Sequence, residues 1–469
     1  MKKKTFFIVL LCCCLQFVSA TSIVDRIISP LNKTKSTTSI NNMVYSIKNL
    51  YSYLDENFLY DIDDEEMQYE LIEAMVNSLG DPYSYFVRPE DAEEYQEGNE
   101  GQYVGIGTYL TKANPEYYDP EDPETYMVII TSPFPGGPAD RAGLRAKDMI
   151  SAVNGEDISK LSANEASKLI RGKAGEPITL TVHRGESVFD ITLMPEVVIT
   201  PTCEWQMLDD NIAYLRILQF SQTTFDSVYD DIKEILNSGA NSLIIDLRNN
   251  GGGVVDSALS IANMFVKEGT LLTTGFKKGS SNQDTVYSAT NYLVVPEEMP
   301  VVVLTNQGTA SASEILTAAL KENNRATVIG SQSFGKGIMQ HVIPYMKGYL
   351  NVTVAHYYTP NGNDIHEIGI TPDIEINEPE FTDEEIIAYA DFLKSEKIKA
   401  WKEEYPEYTK ENIEAFAHAN EDSGVPYSLL CVLMRNEYIY SLDYDKRPIA
   451  DTDFDTQLNG AVDYLKETK

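Results

Sequence analysis

The sequence predicts a multidomain α+β protein: a helical N-terminal region, a β-rich module, an α/β core and a helical C-terminal extension. Three observations carry that prediction. At 469 residues the chain should hold about three or four structural units. Near Gly101 the apolar residues change from three- and four-residue steps to a period of two, and from Ile212 onwards strand-like segments alternate with helical ones. Apolar residues make up 43% of the chain, and 29 Tyr and 16 Phe supply bulk for several cores, which excludes disorder over most of the length. Its 72 acidic against 37 basic side chains give a formal charge of −35, a field that repels phosphate backbones and argues against nucleic acid as a partner.

Taken in order, residues 1–20 have the three parts of a secretory signal: Lys2 to Lys4, the apolar run Phe6 to Val18, and Val18-Ser19-Ala20. The run is shorter than the roughly 20 residues a bilayer span needs, so cleavage after Ala20 and export to a periplasm or cell envelope are expected. An uncleaved signal would leave a membrane tether. Cys12, Cys13 and Cys14 lie inside it, preceded by Leu11 where a lipoprotein signal wants a small residue. Cys203 and Cys431 remain, too few for a disulfide framework and wrongly spaced for zinc, and they read as buried small hydrophobes. No metal or cofactor is implied.

Region 21–97 is helical, from Ile40, Met43, Val44, Ile47, Leu50, Tyr51 and Leu54, and again from Tyr69 to Leu79 before Gly80-Asp81-Pro82. The module 98–198 reads as a strand Tyr103 to Leu110, an exposed loop Pro115 to Glu124, strands Tyr126 to Thr131 and Asp148 to Val153, a helix Ala163 to Arg171, and a hairpin from Ile178 to Leu193. The core, 199–378, alternates strand Ile212 to Ile217, helix Thr224 to Asn237, strand Ser242 to Leu247, a Gly-rich turn, helix Val255 to Val266, strand Val301 to Leu304 and helix Ala312 to Lys321. The extension, 379–469, is acidic and helical, with apolar runs Ile386 to Leu393 and Ile413 to Met434 that could dimerise or roof the core.

Three chemical readings meet at Val328 to Gly337. Gly330 to Lys336 follows a phosphate loop for seven positions, but Gly337 stands where Ser or Thr would hold magnesium. Ser333-Phe-Gly-Lys336 matches Ser-x-x-Lys of hydrolases acting on cell-wall peptides, with Ser280-Ser-Asn282 as a second element, yet the Lys-Thr-Gly element is missing and the order is wrong. The third reading makes Lys336 the base for a serine in Gln307 to Ile315. A lysine base must be neutral, which calls for burial or nearby positive potential. Ser311, directly before the helix at Ala312, would put its hydroxyl where helix N–H groups favour an oxyanion.

Joined in order, Gly308-Thr-Ala-Ser-Ala-Ser-Glu-Ile315, Ile329 to Gly337 with Gln340, Tyr358-Thr-Pro-Asn-Gly362 and Gly369-Ile-Thr-Pro-Asp373 resemble the carboxyl-terminal processing (tail-specific) serine proteases. Asp246-Leu-Arg-Asn-Asn-Gly-Gly-Gly253 resembles that family's Asp-Leu-Arg-x-Asn-Pro-Gly-Gly, with Gly251 in place of Pro. The resemblance implies an α/β (ClpP/crotonase-like) protease core with Ser311 as nucleophile, Lys336 as base and Gln340 orienting Lys336, a Ser-Lys variant of acyl transfer without a cofactor. It also implies oxyanion donors at Ala312 and at Gly252 or Gly253. Ser313 is the rival nucleophile. A helix turn would put Lys336 and Gln340 on one side, whereas Ile338 and Met339 favour a strand.

The module resembles a PDZ domain through Ser132 to Leu144, Asp148 to Gly155 and Leu169-Ile-Arg-Gly172. Gly105-Ile106-Gly107 would then form a carboxylate-binding turn feeding a strand with a free edge, with a side-chain pocket beside Ile106, so the implied partners are proteins or peptides with free C-termini. Homo-oligomerisation stays open. The five histidines, His183, His341, His356, His366 and His418, lack an obvious acidic orienter, and there is no Gly-x-Ser-x-Gly elbow, which argues against a Ser-His-Asp triad. Glu93-Glu94 and Glu403-Glu404 read as solvated charge, and Asp246 and Arg248 as braces of the glycine turn. The rival from another class is a catalytically silent PDZ adaptor, against which Ser311, Lys336 and Gln340 speak together.

Overall fold

A computed structural model describes residues 37–113, 119, 122–442 and 446–468. The expected signal with Cys12, Cys13 and Cys14, and residues 115–118, 120 and 121 of the expected loop, lie outside the described residues.

The N-terminal helices are α1 (Thr37–Asn57) and α2 (Asp64–Asn77), the second started by Asp63, whose carboxylate accepts from the Glu65 and Glu66 N–H groups. After Gly80-Asp81-Pro82 come β1 (Tyr85–Val87) and α3 (Ala92–Glu100), the latter ended by left-handed Gly101.

The expected single strand over 103–110 is instead two, β2 (Gln102–Gly105) and β3 (Thr108–Thr111), because Gly107 takes a φ of 70° and turns the chain. Then follow β4 (Val128–Pro133), α4 (Pro138–Arg141), β5 (Met149–Val153), β6 (Glu156–Asp157), α5 (Ala163–Arg171), β7 (Ile178–Arg184), β8 (Ser187–Leu193) and β9 (Glu196–Ile199). One sheet runs β3-β4-β5-β7-β8, which leaves β3 with a free edge among the described residues, while β2 pairs with β9. Ser162 and Glu165 close a capping box at the start of α5, whose Ala166 and Ile170 pack onto Ile150, Leu180 and Val182.

The α/β core comprises β10 (Cys203–Met207), β11 (Ile212–Ile217), α6 (Thr224–Asn237), β12 (Ser242–Asp246), α7 (Val255–Asn263), β13 (Thr270–Phe276), β14 (Thr285–Ser288), β15 (Val301–Thr305), α8 (Ala312–Glu322), β16 (Thr327–Gly330), β17 (Ile338–Tyr345), β18 (Gly348–Tyr358) and β19 (Ile374–Glu375). Its main sheet runs β10-β11-β12-β15-β16-β19, parallel from β11 onwards. Alternation divides the strands between two cores: Leu215, Ile245 and Val303 face α6, α7 and α8, while Tyr214, Ile244 and Val302 face the opposite side. A second, antiparallel sheet, β1-β18-β13-β14 with β17 on β18, joins the N-terminal region to the core.

The C-terminal helices are α9 (Asp383–Leu393), α10 (Lys397–Glu404), α11 (Lys410–Ala419), α12 (Tyr427–Ser441) and α13 (Thr456–Glu467). The run Ile413 to Met434 is two helices parted by left-handed Gly424 and by Pro426, which cannot continue a helix. Helix α13 covers the second face of the main sheet with Leu458, Ala461 and Leu465, all fully buried. Helix α13 thus belongs to the core, whereas the runs Ile386 to Leu393 and Ile413 to Met434 pack with one another in a separate cluster around Phe392, Phe416 and Met434. No helix among the described residues is long and apolar enough to cross a membrane.

Candidate active site

Three loops leave the C-terminal ends of parallel strands β12, β15 and β16 and converge, as ligand sites in open α/β sheets do. They are the glycine turn 247–254, the segment 306–311 and the segment 331–337. Two asparagines stitch the first to the second. Asn250 donates through Nδ2 to the Ile217 carbonyl and accepts at Oδ1 from the Gly252 N–H, while its carbonyl accepts from Ala310 N–H and Ser313 Oγ. Asn306 Oδ1 accepts from the Asn249 and Gly308 N–H groups.

Ser311 is fully buried and occupies the N-cap of α8 with φ 57° and ψ −117°, a strained backbone for a residue with a Cβ. Lys336 is 7% exposed, and its Nζ stands 4.9 Å from the centroid of the Tyr83 ring. Two side chains tie the backbones of these residues together. Glu314 Oε2 accepts from Ser311 N–H at 2.9 Å and from Lys336 N–H at 2.8 Å, and its Oε1 accepts from Ser333 Oγ at 2.6 Å and Gly335 N–H at 2.7 Å. The Tyr357 hydroxyl bonds to the carbonyls of both Ser311 and Lys336. Burial pushes the Glu314 carboxyl up, against the four donors that favour its charge.

Gln340 lies on strand β17 rather than on a helix turn, beside a bulge between Met339 and Gln340. It is buried, donates from Nε2 to Thr353 Oγ1, and keeps Oε1 without a partner among the described residues. Gly252 packs so closely that a Cβ there would sit 2.7 Å from Ala312 N and 2.8 Å from Ser311 Cβ. Its own N–H is engaged by Asn250. Gly253, at φ 138°, presses on the Phe220 carbonyl, which a Cβ would approach to 1.9 Å.

The competing residues are accounted for differently. Ser313 Oγ is spent on the Asn250 carbonyl. Ser333 Oγ donates to Glu314 and accepts from Ile370 N–H, so both its capacities serve structure. Gly330 to Lys336 leads into strand β17, so the helix N-terminus that a phosphate loop needs is missing. Two histidines do have acidic partners: His356 Nδ1 lies 3.2 Å from Asp364 and His418 Nδ1 2.7 Å from Glu421, both pairs largely exposed and bonded to no serine. Asp246 and Arg248 brace the turn. Asp246 accepts from the Tyr214 hydroxyl and pairs with Arg248, which also grips Asp455 at 2.6 Å. The Cys203 thiol donates to Asp231, and both Cys203 and Cys431 are free.

In the β-rich module, Gly105 ends β2 opposite Glu196, the Ile106 side chain is buried in the module's core, and Gly107 makes the turn. Ile106 therefore contributes backbone and no pocket wall. A cavity of ≈ 750 Å³ is lined by Tyr103, Thr108 and Arg171 together with Phe220, Gly252 and Gly253.

Residues 211–376 match peptidase family S41, and residues 129–184 match a PDZ domain. A probable CtpA-like serine protease of Staphylococcus aureus is 33% identical over 365 residues, which span 78% of this chain and 70% of that protein. The chain belongs to peptidase family S41. A carboxy-terminal-processing protease of Bartonella bacilliformis is 36% identical over 324 residues, 68% of this chain and 71% of that one. Among solved structures, the photosystem II D1 C-terminal processing protease is 29% identical, covers 71% of this chain and 86% of its own, and superposes with a TM-score of 0.40. This S41 protease is thus a serine-type peptidase of multidomain α/β build that carries a PDZ domain.

Four contributors to the site escaped the sequence reading: Asn250, Glu314, Tyr357 and Thr353. Asn250 and Glu314 lay inside the motifs already quoted, and a buried carboxylate three residues into a helix is a capping-box signal. Nothing local marks Tyr357 or Thr353, which reach the site through strand β18.

Proposed function

We propose that the protein is an exported endopeptidase that captures the C-terminal tails of protein substrates through its PDZ domain and cleaves them with a Ser311–Lys336 dyad on a ClpP/crotonase-like core. Division at 97/98, 198/199 and 378/379 into the N-terminal region, PDZ domain, protease domain and extension goes with this reading. Ser311 Oγ attacks the scissile carbonyl carbon as its proton passes to Lys336 Nζ; the lysine then protonates the departing amine, and water releases the acyl group from Ser311. The oxyanion is received by the N–H groups of Ala312 and Gly253, since that of Gly252 is already bonded to Asn250. Gln340 offers its Oε1 to the lysine.

The observation that carries the reading is the double tie of Ser311 to Lys336 through Glu314 and Tyr357. A silent adaptor has no use for it. The lysine-rich start and apolar run of residues 1–20 support export, and the free edge of β3 supports tail capture by strand addition. Trapping with a fluorophosphonate and mapping of the labelled serine tests the dyad: label on Ser311, lost in Ser311→Ala and strongly reduced in Lys336→Arg, is expected, because Arg keeps the charge but cannot become a neutral base. Label on Ser313 or Ser333 would overturn the assignment.

A further inference from the structure

The turn marked in the sequence by Gly80-Asp81-Pro82 takes no part in the mechanism above, yet it ends against the proposed base. The Asp81 carbonyl accepts from Ser84 N–H at 3.2 Å, a β-turn with Pro82 at the position whose φ its ring presets. The Asp81 carboxylate then braces the two residues after Pro82: Oδ1 accepts from Tyr83 N–H at 3.0 Å and Oδ2 from Ser84 Oγ at 2.6 Å. Each of those two residues leads to the site. The Tyr83 ring centroid stands 4.9 Å from Lys336 Nζ, within the range at which an aromatic face holds a cation. Buried Ser84 has spent its one proton on Asp81, so its oxygen is left to accept from Thr353 N–H at 3.0 Å. Thr353 Oγ1 in turn accepts from Gln340 Nε2 at 3.1 Å.

Strand pairing explains the Ser84 bond. Strand β1 begins at Tyr85, opposite Asn351 in β18, so Thr353 N–H lies beyond the ladder and the Ser84 hydroxyl stands in for a backbone carbonyl. We propose that the turn 81–84 positions the base and its orienter: Tyr83 is the wall that seats Lys336 Nζ, and Ser84, through Thr353, holds the Gln340 amide by its NH2 end. This rests on the Ser311–Lys336 reading above. Lysine carries its nitrogen on a flexible four-carbon stem, so the groups packed around it decide where Nζ sits. A displacement of roughly 1 Å in a reacting group can cost about 100-fold in rate. Both supports come from residues before the PDZ domain, so the proposed protease domain 199–378 does not carry them itself.

The test is steady-state cleavage of an unstructured protein by full-length variants, with urea unfolding to fix conditions in which each is folded. Tyr83→Ala should lower kcat about 10- to 100-fold with KM within about twofold, because the ring touches the lysine and not the substrate-binding strand. Tyr83→Phe, which restores the ring and lacks only the hydroxyl, should recover kcat to within about threefold of the parent. A Tyr83→Ala kcat within about twofold of the parent, or a Tyr83→Phe as slow as Tyr83→Ala, would overturn the seating role. A second measurement does not require removal of the ring. Ser84→Ala leaves the Asp81–Tyr83 bond in place, and it should lower kcat about fivefold in the parent and by less than about twofold in Gln340→Ala, since it acts through that amide. Equal losses in the two backgrounds, or none in either, would overturn the chain to Gln340. Full activity in Lys336→Arg would remove the dyad and this inference with it; an inactive Lys336→Arg beside a near-parental Tyr83→Ala removes the inference alone.

Discussion

Replacing Glu314 by Gln asks how much of the catalytic geometry hangs on one buried carboxylate. Glutamine keeps the length and shape but turns one oxygen into an NH2 group. Facing Ser311 and Lys336, that group would confront two fixed backbone N–H donors; facing the other way, it confronts only Gly335 N–H, because the Ser333 hydroxyl can rotate. The second orientation therefore wins and leaves one buried N–H unpaired, at about 1–3 kcal/mol. The bonds retained to Ser311 and Lys336 fall from charge-assisted to neutral, about 1 kcal/mol each. Relief of the carboxylate's burial, the same effect that raises its pKa, offsets part of this, so a net destabilisation of about 2–3 kcal/mol is expected. Because the bonds lost or weakened fix the proposed nucleophile Ser311 relative to the proposed base Lys336, kcat on an unstructured protein substrate should fall about 10- to 100-fold with KM nearly unchanged. Urea unfolding and steady-state proteolysis read the two effects. A variant within 0.5 kcal/mol and twofold in kcat would refute the idea that Glu314 holds the pair.

Two further outcomes follow from the same structure. Leu458→Ala should cost about 2–5 kcal/mol in urea unfolding, since Leu458 is fully buried against β11, β12 and β15; a loss below about 1 kcal/mol would mean that α13 is dispensable to the core. Burial pushes the His341 imidazole below its ordinary value of about 6.5, so the unfolded chain takes the proton first; its contribution to stability is present above that pH and is lost as pH falls. His341→Gln should accordingly lose less stability than the parent between pH 8 and pH 5, and equal losses would contradict this.

The residues proposed for the site stand out in the sequence because they sit in runs whose composition is unusual for local reasons. Small residues around Ser311 admit a strained N-cap, and Gly252 and Gly253 are required where their Cα atoms touch other backbones. The apolar runs also gave strands β11, β12 and β15 of the core. The period of two failed over 103–110 because a single positive φ at Gly107 moves the two halves into different sheets without disturbing the alternation. The hairpin of β17 and β18 went unread because its chemistry depends on the partner strand: Gln340 meets Thr353 only through pairing.

By itself, then, the sequence determined strands β11, β12 and β15 and helices α6, α7 and α8 of the core, since each depends on neighbours within a few positions, and it nominated Ser311 and Lys336. The tertiary structure decided which groups hold them. Glu314 is a helix-capping residue in the sequence and a four-bond clamp in the fold; Tyr357 is an aromatic in a strand until β18 brings its hydroxyl to two carbonyls; and α13, more than 200 residues after β12, becomes the second face of the sheet. Such roles arise from long-range packing, where a buried polar group has to find a partner or forfeit its hydration, and no local pattern encodes which partner it finds.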